Sequence, residues 1–136
     1  MFRSTPTKAT ASAKRDRGTR LLCALQGGFY LLTGIWPVLS GYTFQRVTGF
    51  KADFWLAQTV GLLLAMSGLV MIVAARARRI TPEIALLAAG EAVLLAIVDI
   101  YCVGQPHTTR VYLIDAAAEI ILVLAWLRFW PCRSDG

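Results

Sequence analysis

At 136 residues, 57% hydrophobic and only 16% charged, with a mean hydropathy of +0.59, the chain holds more apolar surface than a water-soluble core of its size can hide; soluble domains are about 25% charged. The net charge of +6 raises nucleic acid as a partner, but the basic residues gather at the ends of apolar runs and do not form a surface, which excludes that class. One domain is expected, with a lipid bilayer as its solvent.

The first segment, residues 1–20, reads MFRSTPTKATASAKRDRGTR. It is polar, rich in Ser, Thr, Lys and Arg, and is expected to be a disordered basic tail. The apolar run after it is too long for a cleaved signal peptide and lacks a small-x-small exit.

A hydrocarbon core about 30 Å thick needs roughly 20 helical residues. Four segments between residues 21 and 130 meet that length: Leu21–Ser40, Phe54–Ala75, Ile84–Val103 and Val111–Trp130. Short connections make consecutive helices antiparallel neighbours. The expected fold class is therefore all-α, an integral membrane bundle of four antiparallel transmembrane helices. A tail, residues 131–136, follows. Small residues at helical spacing, such as Ala57, Gly61, Ala65 and Gly68 in span two and Ala88, Ala92 and Ala96 in span three, allow close helix contacts. A homo-oligomer is compatible with these stripes.

Orientation follows from Lys and Arg. Eleven of the fourteen lie in the N-terminal tail, the connection after span two and the C-terminal end. The other side has Arg46, Lys51 and Arg110. The positive-inside rule then gives an N-in/C-in multi-pass protein of the bacterial inner membrane.

The connection Ser40–Phe54, SGYTFQRVTGFKADF, is longer than packing requires. It is expected either to lie over the bundle as a lid, with Arg46 turned inward, or to be a solvated connector. The pattern GIWP, Gly34–Pro37, with FQRVTGFKADFWLAQTVG, Phe44–Gly61, resembles small bacterial inner-membrane proteins of four spans. The resemblance covers the spans and implies the same architecture; it carries no activity. The chain is unlike small multidrug transporters, which place an acid in span one, where this sequence offers only Gln26, Tyr30 and Thr33 as polar groups. Sterol isomerase-like four-span proteins pair membrane acids with a His, and the single histidine here, His107, lies in a connection.

Four acids interrupt the spans: Glu91, Asp99, Asp115 and Glu119. Centred spans put Asp99 and Asp115 both about 8 Å outward of the midplane, so they can face each other across the third hairpin. Tyr112, Asp115, Glu119, Leu122 and Trp126 share one face of span four. An acid at a helix centre costs about 2.5–3.5 kcal/mol, and each Leu, Ile, Val or Phe returns about 0.3–0.6. The ten such residues of span four thus return roughly 3–6 kcal/mol against about 5–7 for its two acids. This helix depends on its neighbours. Arg46 and Arg110 are the available counter-ions, with Gln58, Thr59 and Tyr101 as hydrogen-bond donors at similar depth. Asp99, Asp115, Glu119, Glu91, Arg46 and Arg110 form the expected polar cluster.

Two functions fit such a cluster. In one, the protein is a non-enzymatic structural or accessory component whose paired acids fix helix register. In the other, it is a transporter or ligand-binding protein that takes a proton, a cation or a small ligand at Asp99, Asp115 and Glu119, assisted by Arg46. A membrane enzyme ranks third. The chain has no GxxxxGK[ST] or GxGxxG loop and no CxxCH. Cys23, Cys102 and Cys132 have no metal spacing. No cofactor and no metal is expected.

Overall fold

A computed structural model describes residues 6–49, 52–105 and 110–130. Among the described residues it is all-α, with five helices and no strand: α1 (Pro6–Leu39), α2 (Gly41–Thr48), α3 (Phe54–Arg76), α4 (Pro82–Val103) and α5 (Val111–Arg128). Three stretches are long and apolar enough to cross a membrane: Ser12–Leu39 of α1, α3 and α4. The expected fourth span corresponds to α5. At 18 residues it is about 27 Å long, and it carries Asp115, Glu119 and Arg128, which set it apart from the other three.

Of the segment expected as a disordered tail, residues 1–5 lie outside the described residues, and from Pro6 the helix runs unbroken. Residues 12–17 are exposed, but they extend a helix already nucleated by the apolar segment after them, so the costly first turn is avoided. The extension is also anchored to the end of α5. Arg15 donates to the Trp130 carbonyl at 2.7 Å, and Thr19 Oγ1 donates to the Phe129 carbonyl at 2.9 Å. The connection Ser40–Phe54 is likewise not a plain loop, because α2 occupies most of it. The α2 helix folds back on the end of α1 through Trp36 Nε1, which donates to Thr43 Oγ1 at 3.0 Å, and through an edge-to-face contact of Trp36 with Phe44. The calls on residues 131–136, Lys51 and His107 lie outside the described residues.

Two antiparallel pairs make up the bundle: α1 packs chiefly on α3, and α4 on α5. The first pair meets at glycines. Gly27 lies against Gly68, and Gly34 against Gly61, so closely that a Cβ on any of the four would run into the facing backbone. The same register brings Gln58 Nε2 to the Pro37 carbonyl at 3.4 Å. On α4 the buried stripe is Ala85, Ala88, Ala92, Ala96 and Asp99, spaced at three and four residues as one helix face requires. Thr81 caps α4 by accepting from the Ile84 amide, with Pro82 in its first turn.

Burial is inverted relative to a water-soluble protein. Leu21, Leu32, Leu63, Leu94, Ile121 and Leu127 are exposed, while Gln26, Asp99 and Glu119 are buried. An apolar exterior of this extent around polar interior groups is what a lipid solvent selects.

Candidate functional site

A cavity of about 530 Å³ lies among the five helices toward the α2 end. Asp99 of α4 and Asp115 and Glu119 of α5 line it on one side. Phe29 of α1, Phe44 of α2 and Leu56, Val60 and Leu64 of α3 line it elsewhere. The three acids reach the cavity by helical spacing. Asp99 ends the buried alanine stripe of α4, and Asp115 and Glu119 stand one turn apart on the inward face of α5.

Asp99 and Asp115 lie beside each other across the α4–α5 hairpin, both in the cavity wall. Ionised carboxylates only accept, so the pair repels unless a proton or a cation comes between them. Asp99 is 4% exposed, yet its Oδ2 is buried with no hydrogen-bond partner. Among the described residues, the groups that act on Asp99, Asp115 and Glu119 are one another, Glu91 and Tyr30, and none of these is a cation.

Glu119, 1% exposed, accepts a hydrogen bond of 2.8 Å from the Tyr30 hydroxyl. Four residues earlier on α1, Gln26 Nε2 donates to the Ala88 carbonyl at 2.8 Å, and its Oε1 accepts from Trp126 Nε1. Gln26, Tyr30, Glu119 and Trp126 thus tie α1 to the α4–α5 pair by a column of polar contacts below the cavity. In the sequence, Gln26 and Tyr30 stand out only as polar groups of span one. Their spacing of four within an apolar helix is the signal that puts both on one inward face.

The expected cluster is not assembled as a whole. Glu91 stands apart on α4, where Oε1 accepts from Ser67 of α3 at 2.7 Å and Oε2 is buried without a partner. Arg46 is exposed on α2, with its guanidinium on Tyr42, 3.1 Å from the hydroxyl and 5.5 Å from the ring centre. Arg110 is exposed at the start of α5. Among the described residues neither arginine neutralises the acids. The expected donors are also spent elsewhere: Gln58 on Pro37, Thr59 on the Trp55 carbonyl, with Tyr101 turned outward. No group of three or more His, Cys, Asp or Glu is placed to hold a metal ion among the described residues.

The fold and this site have the features of a helical membrane protein with a largely apolar cavity that carries carboxyl groups. Set against protein-family models, curated proteins and solved structures, the chain gives no match.

Proposed function

We propose that this is a four-span protein of the bacterial inner membrane, with both termini cytoplasmic, that binds a small cationic ligand or ion at Asp99, Asp115 and Glu119. The observation that carries the reading is Asp99: a buried carboxyl oxygen without a partner, in the wall of a cavity. Leaving such a group unmet costs about 1–3 kcal/mol or more. Tyr30 meets Glu119 and Ser67 meets one oxygen of Glu91, contacts that fix helix register; of the two unpartnered buried carboxyl oxygens, Glu91 Oε2 and Asp99 Oδ2, only Asp99 belongs to the cavity wall. Those two contacts are what the accessory-component reading has in its favour; it does not account for Asp99.

The placement of α5 supports the fourth span. This helix pairs with α4 from Asp115 beside Asp99 to Trp126, which shares a cluster with Ala88 and Ala85. It ends level with Thr19 of α1. The gathering of Arg20, Arg76, Arg78 and Arg79 near that end supports its cytoplasmic side.

Two measurements test the reading. A reporter fused after Gly136 is expected in the cytoplasm, and a periplasmic signal overturns the topology. Purified protein is expected to gain thermal stability with an added cation that it binds, and Asp99→Asn and Asp115→Asn are expected to lose that gain while remaining folded. Equal gain in both variants overturns the site.

A further inference from the structure

We propose that the ligand of this cavity is an amphipathic organic ammonium ion, an amine bearing N–H⁺ on an apolar body, and not a metal ion; the inference rests on the binding reading above. A volume of about 530 Å³ lies within the range of pockets for organic molecules. A single dehydrated ion would leave most of it empty. Its lining is divided. Asp99, Asp115 and Glu119 stand on the α4 and α5 side and Asp53 at the start of α3, while Leu56, Val60 and Leu64 along α3 are purely apolar. Such a division fits a molecule with one charged end and one hydrocarbon end.

The charged end matches the acids. Asp99 Oδ2 has a free acceptor position in a buried setting, and a charge-assisted N⁺–H···O⁻ bond is the strong way to fill it. Asp115 lies beside it, so a cation also offsets the repulsion between the two carboxyls. Phe29 and Phe44 line the same space, and aromatic faces attract ammonium groups. A divalent metal demands several convergent oxygens at short, regular distances. No such group exists among the described residues. An anion would face four acids, Asp53, Asp99, Asp115 and Glu119, and a neutral ligand would leave them without counter-charge.

The test is calorimetry on the full chain in lipid nanodiscs with four probes: benzyldimethylammonium, benzyl alcohol, Na⁺ and Mg²⁺. Only the ammonium is expected to bind. Asp99→Asn should weaken it about 10- to 100-fold, the range for a hydrogen bond to a charged group. Val60→Trp fills the apolar wall and leaves every acid in place, and it should abolish binding. If Na⁺ or Mg²⁺ binds, with loss in Asp99→Asn but retention in Val60→Trp, the ligand class is wrong and the carboxylate site stands. If benzyl alcohol binds as well as the ammonium, the ligand class is wrong. If no probe binds, or if Asp99→Asn binds the ammonium like the parent, both the class and the site fall.

Discussion

The carbonyl of Gly61 occupies the place where a Cβ on Gly34 would stand, and the Gly34 carbonyl does the same to Gly61. The relation repeats at Gly27 and Gly68. Backbones approach so closely only where both partners lack side chains, which is how helices associate in a solvent as apolar as their own surfaces.

Substitution at this crossing should therefore divide the glycines sharply. Gly34→Ala and Gly61→Ala force α1 and α3 apart and are expected to destabilise by about 1–3 kcal/mol, the range for overpacking. Gly28 and Gly90 have open space where a Cβ would sit. Gly28→Ala and Gly90→Ala should instead stabilise by about 0.5–1 kcal/mol, since glycine weakens a helix interior. Thermal melts of the detergent-solubilised protein check both directions.

Much of this architecture is legible in the sequence because lipid constrains it so strongly. Long apolar runs, the small-residue stripes of Gly61 and Gly68, and the face shared by Asp115, Glu119 and Trp126 all follow from helical spacing. Three features were not legible. The helical tail from Pro6 depends on nucleation by the segment after it and on anchoring at Phe129 and Trp130, which composition does not reveal. The α2 helix depends on Trp36 and Phe44 meeting, a contact made only once the chain folds back. The partners of the acids are not legible, because charge alone points to Arg46 and Arg110. Arg46 instead lies on Tyr42, one turn away on its own helix, while Tyr30 reaches Glu119 from α1.

Removing the hydroxyl that meets Glu119 tests the polar column. Tyr30→Phe leaves a buried carboxyl oxygen unmet and is expected to cost about 1–2 kcal/mol, at the upper end for interhelical hydrogen bonds in membranes. Trp126→Phe, which deprives Gln26 of its donor, should cost about 0.6 kcal/mol beyond any packing change. Unfolding in mixed micelles measures both. A null effect of Tyr30→Phe would mean that Glu119 finds other company.

Asp99 should behave in the opposite way. Asp99→Asn replaces an acceptor-only group by one that donates to Asp115, and it leaves a neutral amide oxygen at the unmet position in place of a charged one. The variant is expected to unfold about 1–3 kcal/mol later than the parent while losing cation binding. A stabilised but inactive variant is the mark of a group kept for function. Loss of stability at this position would point to a structural role.

The central claim is that a cavity of negative character reaches Asp99 and Asp115 without a cation among the described residues to cancel it. The most direct test is the rate at which the thiol of Cys102, in the wall of the same cavity, reacts with methanethiosulfonates of opposite charge, read by mass spectrometry at that residue. The cationic ethyltrimethylammonium reagent should modify Cys102 at least about tenfold faster than the anionic ethylsulfonate, and the ratio should collapse in Asp99→Asn combined with Asp115→Asn. Equal rates for the two reagents in the parent protein would contradict the account.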